Sequence, residues 1–268
     1  MESIGLDKEK LLQELIRFRV PNYHKDFPII LFWSQKSGCT TLLKWFFFQI
    51  GLLDEATNYN PWIHYYEEEV YKSRPGYRKE LIDRLLSGQK DTYKLVRNPY
   101  KRAVSQFLIL SSTKGIPYWE KEWEKIREFF YGNKASNRGI SFKQYLIYVR
   151  DYPGVVDDHF MPQYMEGEEQ FVRDYIYLEQ FTSQIRELER KYGLKQSSVA
   201  QLTKSSHHLS KSMKLQGDFA NMEVTYETFK QYPQLPTYGS FYNPETIALV
   251  NSIYKRDFEM YNYQMNRI

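Results

Sequence analysis

Two short stretches of this sequence carry side chains suited to holding anions. The first is Ser34-Gln35-Lys36-Ser37-Gly38-Cys39-Thr40-Thr41. It lies between two apolar runs, Ile29 to Trp33 and Leu42 to Ile50, so the expected order is strand, tight loop, helix. The first N–H groups of such a helix lack partners within it, and its dipole favours negative charge there. Gly38 permits a tight turn and close backbone approach to a ligand. Thr40 and Thr41 add hydroxyls, and Lys36 adds a cation that can reach a bridging oxygen. Lys36, Ser37, Gly38, Cys39, Thr40 and Thr41 therefore form a candidate anion loop. The loop is not a Walker A motif, because its lysine precedes its glycine and no first glycine is present. An ordinary Ser/Thr-rich helix cap has a similar composition.

The second stretch runs from Tyr93 to Phe107. Arg97 is expected to end a strand on the same sheet edge as the first loop, and Ser105 to lie on the following helix. An arginine fork and a hydroxyl can hold a second phosphate beside the first. Lys101 reads as a solvated helix charge, a reading also open to Arg102. A reaction between such anions and a hydroxyl needs a base, and imidazole suits that near neutral pH. His64 follows Pro61-Trp62-Ile63, a short β-prone stretch expected to end on the same edge. His159 is the second candidate, for base, acceptor contact or loop pin. Glu67, Glu68 and Glu69 are alternatives. His24 reads as a surface residue, and His207 and His208 as part of an exposed polar loop.

The elements that must position these groups follow from periodicity. Helices are expected over 7–18, 42–50, 78–87, 100–110, 119–130, 142–150, 180–192 and 244–258, a strand buried on both faces over 29–33, and further strands over 92–96 and 174–178. Strand, helix and strand in alternation predict an α/β fold with a parallel sheet and right-handed crossovers. Residues 200–243 are expected to hold long loops. No linker divides the chain, so residues 1–268 are taken as one domain. A net charge of +4 suits an anionic small ligand and is too weak for a nucleic-acid protein. Cys39 is the one cysteine among 268 residues, which leaves no intrachain disulfide. The first ten residues hold no apolar h-region, and no run is long enough to span a bilayer. A cytoplasmic protein is expected, with its oligomeric state open. The sequence shows no His/Cys/Asp cluster at metal-ligand spacing.

With the two anion motifs in this order, the sequence resembles sulfotransferases that use 3′-phosphoadenosine-5′-phosphosulfate (PAPS). Lys36-Ser37-Gly38-x-Thr40-Thr41 is similar to their 5′-phosphosulfate loop, and Val96-Arg97-Asn98-Pro99-Tyr100-x-Arg102-x-Val104-Ser105-x-Phe107 to their 3′-phosphate motif. Three further stretches resemble the branch of Golgi carbohydrate sulfotransferases and their bacterial relatives. They are Gly38-Cys39-Thr40, then Asp158-His159-Phe160-x-Pro162-Gln163 with Tyr175-x-Tyr177-Leu178-Glu179, and finally Tyr254-x-x-Asp257-Phe258-Glu259-x-Tyr261-x-Tyr263. His208-x-Ser210-Lys211-Ser212 is similar to a family segment near the donor. The Golgi members' signal anchor and luminal cysteines have no counterpart here, which points to a soluble, bacterial-type enzyme.

The resemblance implies a P-loop-NTPase-like three-layer fold with a central parallel sheet flanked by helices. It also implies transfer of a sulfuryl group from PAPS to a hydroxyl of a carbohydrate or glycan-like acceptor, leaving PAP, without a metal. Lys36 would contact the leaving group. Lys36 to Thr41, Arg97, Ser105 and Lys211 would bind PAPS, and His64 and His159 are the catalytic candidates. The competing classes are a P-loop nucleotide or small-molecule kinase, which would need Gly-Lys-Ser/Thr and a Mg²⁺ carboxylate, and a non-catalytic nucleotide-binding scaffold.

Overall fold

The computed structural model describes residues 2–112, 117–154, 156–203, 212–225, 227–231 and 234–268. In chain order the elements are α1 (Glu2–Leu15), β1 (Ile29–Phe32), α2 (Cys39–Ile50), α3 (Leu53–Tyr59), α4 (Ile63–Tyr65), a π-helical turn (Tyr66–Tyr71), α5 (Tyr77–Ser87) and β2 (Asp91–Val96). Then come α6 (Pro99–Ser112), α7 (Pro117–Tyr131), α8 (Phe142–Asp151), β3 (Asp174–Tyr177), α9 (Phe181–Lys191), α10 (Val199–Leu202), β4 (Met213–Leu215), β5 (Leu235–Pro236), α11 (Pro244–Ile253) and α12 (Lys255–Met260). The chain forms two compact units, one from residues 1–97 and 164–205, the other from 98–163 and 206–268.

The first unit is a mixed α/β structure with a small parallel sheet in the order β1-β2-β3. All four residues of β1 are buried, as expected of a strand covered on both faces. Phe32 pairs with Lys94 and Val96 with Tyr177, so the three carboxyl ends share one edge. Helix α2 buries Leu42, Leu43, Trp45, Phe46 and Phe47. Each large apolar side chain removed from water contributes roughly 1.5–3 kcal/mol. The nearly unbroken apolar run that predicted a buried helix is thus the reason this one stays fixed below the loop that precedes it.

The second unit packs α6, α7, α8 and α11 around an aromatic core that includes Phe107, Trp123, Phe142, Tyr145 and Phe241. Helix α8 opens with a capping box, Ser141 and Gln144 each bonding the other's backbone N–H, which satisfies two orphan donors at once. Helix α11 opens the same way with Asn243 and Thr246, and Pro244 stands in its first turn.

Three expectations are corrected. Pro61-Trp62-Ile63 is not a strand: the Asn60 side-chain oxygen accepts from the Trp62 N–H at 2.8 Å and turns the chain into α4. That local bond gives the backbone a partner without a neighbouring strand. The helix expected over 244–258 is two helices, parted at Tyr254, whose φ/ψ of −108°/27° is off the helical region. Arg102 is not a solvated charge. It is buried, and its Nη1 donates to the Met161 carbonyl at 2.8 Å.

Candidate active site

The loop after β1 is held by its own polar groups. Ser37 Oγ donates to the Ser34 carbonyl at 2.5 Å and accepts from the Ser34 N–H at 3.3 Å. Two residues then adopt left-handed backbone, Lys36 with φ 63° and Gly38 with φ 100°. For lysine this conformation costs on the order of 1 kcal/mol or more, so the surroundings impose it. At Gly38 a side chain is excluded twice over, by φ and because a Cβ would stand 2.6 Å from Leu178 Cδ1. Leu178 belongs to the Tyr175–Glu179 stretch singled out in the sequence, and this contact shows what it does for the loop.

Helix α2 begins at Cys39. The N–H groups of Thr41 and Leu42 both return to the Gly38 carbonyl, at 3.0 and 3.2 Å. Those of Cys39 and Thr40 are left at the helix mouth, where an anion is favoured. Arg97 lies one residue beyond β2, and its Nη1 donates to the Lys36 carbonyl at 2.9 Å. The two anion motifs read from the sequence are therefore in contact, on the carboxyl edge of adjacent parallel strands, where ligands of open α/β sheets bind. Ser34 Oγ is buried and has no hydrogen-bond partner among the described residues. An orphaned donor, a helix mouth and a guanidinium around one loop fit the phosphates of a nucleotide.

His64 sits against this loop. Its Nε2 is 3.1 Å from Thr40 Oγ1 and 3.9 Å from Cys39 Sγ, and its Nδ1 is 2.6 Å from Glu67 Oε2. Glu67 is buried, and its other oxygen takes the Lys72 ammonium, which also donates to the Val20 carbonyl at 2.6 Å. Burial works against charge on His64, but hydrogen bonds to Cys39 and Glu67 outweigh it and raise its pKa to about 10. Burial likewise opposes the Glu67 carboxylate, and Lys72 and His64 together hold its pKa down to about 2. Sequence reasoning named Glu67 only within an acidic run and missed Lys72. The His-x-x-Glu spacing on a helix was the available signal.

His159 belongs to the second unit. Its Nδ1 lies 2.6 Å from Asp157 Oδ1 and 3.5 Å from Asp158. Asp157 also accepts from the His159 N–H at 2.9 Å and from the Tyr118 hydroxyl. Burial opposes charge on His159, and the hydrogen bonds to Asp157 and Asp158 outweigh it, so its pKa is raised. The ring packs edge-on against Trp119, with centroids 5.1 Å apart. Its turn is pinned from beneath: Gln106 Nε2 donates to the His159 carbonyl at 2.5 Å, and the Tyr254 hydroxyl to Phe160 O at 3.1 Å. The Gln163 N–H donates to the buried Asp257 at 3.0 Å. The His159–Gln163 block and the Tyr254–Tyr263 stretch are thus bonded to each other. Asp157, Asp158 and His159 each bring a ligand atom within 4.8 Å of the others, a grouping the sequence reading did not see. Ser105 lies on α6 in this unit. Lys211, His207 and His208 fall outside the described residues.

A family model described as the sulfotransferase family matches residues 22–264, nearly the whole chain and both units. The chain belongs to that family. No curated protein matches it, and no solved structure does. The enzyme is a PAPS-dependent sulfotransferase, and the kinase reading is not favoured. No helix among the described residues is long and apolar enough to cross a membrane.

Proposed function

We propose that this sulfotransferase moves the sulfuryl group of PAPS to a hydroxyl of a carbohydrate or glycan-like acceptor and releases PAP. PAPS supplies the activated sulfuryl group and carries the negative charge that the transfer leaves on the 5′-phosphate. The chain's part is to hold that charge, orient the donor and remove a proton from the acceptor. Lys36, Ser37, Gly38, Cys39, Thr40 and Thr41 hold the 5′ side, with Lys36 as the leaving-group contact. Arg97 takes the 3′-phosphate, and Ser105 and Lys211 join it on the strength of the sequence motifs alone. The observation that carries this reading is the Arg97 guanidinium on the Lys36 carbonyl, which makes one device of two anion motifs.

The two histidines divide the remaining work. His64 has both ring nitrogens engaged within the first unit, which suits a fixed group on the donor side. His159 is held through Nδ1 by Asp157, the arrangement that leaves Nε2 to act as the proton acceptor. The P-loop-like three-layer fold, a single domain over 1–268 and a cytoplasmic location belong to the same proposal. One family match running through both units supports the second, and a lone cysteine supports the third.

A thermal-shift titration tests the donor reading. PAP and PAPS raise the melting temperature by mass action, and ATP with Mg²⁺ does so much less; stabilisation by ATP with none from PAP sinks it. Radiolabelled PAPS with a panel of glycans and non-sugar alcohols then tests the acceptor, and transfer confined to the non-sugar alcohols rejects the carbohydrate.

A further inference from the structure

Lys72, Glu67, His64 and Thr40 form a continuous chain of polar contacts that ends on the anion loop. Three of its members carry ionisable groups away from bulk water: the side chains of His64, Glu67 and Lys72 are 12%, 3% and 10% exposed. The π-helical turn explains why they meet. Its wide turn bonds the Lys72 N–H to the Glu67 carbonyl at 2.8 Å, five residues back, and so brings the Lys72 ammonium to the carboxylate. His64, three residues before Glu67, reaches the other oxygen.

The direction of each hydrogen bond follows from what each atom can do. An ionised carboxylate only accepts, so Nδ1 of His64 carries a proton toward Glu67. Nε2 then has two options. Unprotonated, it accepts, and the Thr40 hydroxyl spends its one hydrogen on the imidazole. Protonated, it donates to Thr40 Oγ1, and the Thr40 hydrogen is free to turn toward the helix mouth. Only the second arrangement adds a hydroxyl donor to the site that receives the 5′-phosphate.

We infer that Glu67, braced by Lys72, is a positioning residue that keeps His64 a two-armed donor, so that Thr40 presents its hydroxyl hydrogen to the donor nucleotide. The inference rests on the reading of the loop as the 5′-phosphosulfate site. The charged and titratable groups that bear on the imidazole are Cys39 on α2 and Glu67 and Glu68 on the π-helical turn; Lys36 in the loop acts on Cys39, and Lys72 on Glu67. Trp33 and Trp62 lie beside it at a tilt, with ring centroids 6.3 and 5.1 Å away. Cys39 at Nε2 and Glu67 at Nδ1 both favour the charged ring; Glu67 is the carboxylate bonded to it among the described residues, at the nitrogen turned away from Thr40.

The test is the affinity of PAP as a function of pH, measured by calorimetry above pH 7, where its phosphates are fully ionised. In the wild-type enzyme the affinity holds through the neutral range and falls as pH rises toward the raised His64 value. In Glu67→Gln the ring loses its carboxylate, the fall moves down into the neutral range, and PAP binds about ten- to a hundredfold more weakly at pH 8, the scale of a hydrogen bond to a charged group. Thr40→Val loses a similar factor, and adding Glu67→Gln to it loses little more, because both act through one hydrogen. A loss in Glu67→Gln that is the same at every pH, or that adds fully to Thr40→Val, overturns the inference and leaves Glu67 as packing. Nitrogen NMR of the wild-type histidine rings needs no variant: a neutral His64 at pH 7.5 overturns it equally. If PAP fails to bind the wild-type enzyme at any pH, the loop reading falls and takes this inference with it. Binding that ignores pH sinks the inference alone.

Discussion

His64 and His159 are both held by carboxylates and both have raised pKa values, yet they stand in opposite kinds of surroundings. His64 is bonded at each nitrogen, to Glu67 on one side and Thr40 on the other, and Lys72 neutralises its carboxylate from behind. His159 is bonded at Nδ1, with two aspartates beside it and a side chain 29% exposed. The first environment fixes a proton in place. The second orients a ring that can exchange one. The same pairing of residue types thus borders the anion loop in one unit and holds a candidate base in the other, and what distinguishes them is the far nitrogen rather than the carboxylate.

The largest expected effect separates the two. His159→Ala lowers kcat by about 10²–10⁴-fold, the usual contribution of a general base, and leaves PAP affinity close to wild type. His64→Ala does the reverse, weakening PAP by about ten- to a hundredfold with a smaller loss of kcat at saturating donor. Steady-state kinetics and PAP titration on the two variants decide it. If His64→Ala keeps PAP affinity and loses kcat instead, the assignment of roles is inverted and His64 is the base.

Arg97→Ala comes next. The side chain donates to the Lys36 carbonyl, and in the proposed function it also takes the 3′-phosphate, which would give it two jobs. PAP binding weakens by about 1.5–3 kcal/mol. A donor analogue without the 3′-phosphate weakens too, by a smaller amount, because the left-handed Lys36 loses its brace. No change for that analogue means that the contact to Lys36 is incidental.

This second job was not legible in the sequence. Pattern reading found β1 because the continuous apolar run Ile29-Ile30-Leu31-Phe32 buries both faces of a parallel sheet, and β2 and β3 from short stretches rich in β-branched and aromatic residues. It found α2 from a run apolar on almost every side and the loop from the small polar residues before it, and the motif pair suggested one ligand. It missed α3, the π-helical turn and the fate of Pro61–Ile63, where the strand propensity of Trp62 and Ile63 is overridden by one Asn60 side chain. Arg102 shows the same limit. Nothing in its charge says that a Met161 carbonyl waits for it. The carboxylates beside the two histidines were half-visible: Glu67 stood in an acidic run, and Asp157 directly before Asp158-His159, but sequence spacing does not say which oxygen meets which nitrogen.

The smallest effect tests the second histidine from its own side. Asp157→Asn removes a charge that favours the imidazolium, while the amide oxygen can still accept from Nδ1. A base must be neutral to work, so activity rises with pH through the His159 pKa. In the wild-type enzyme that value is raised, because the bonds to Asp157 and Asp158 outweigh the effect of burial. Without the Asp157 charge it falls, and the acidic limb of the kcat profile moves to lower pH. The movement is partial, since Asp158 remains 3.5 Å from Nδ1. At the plateau kcat drops by less than about tenfold, the scale of one weakened hydrogen bond. A pH–rate profile from pH 5 to 9 with saturating donor and acceptor reads both changes. Movement of the limb to higher pH, or no movement with a large loss at the plateau, would mean that the titrating base lies elsewhere and that Asp157 serves only to hold the turn.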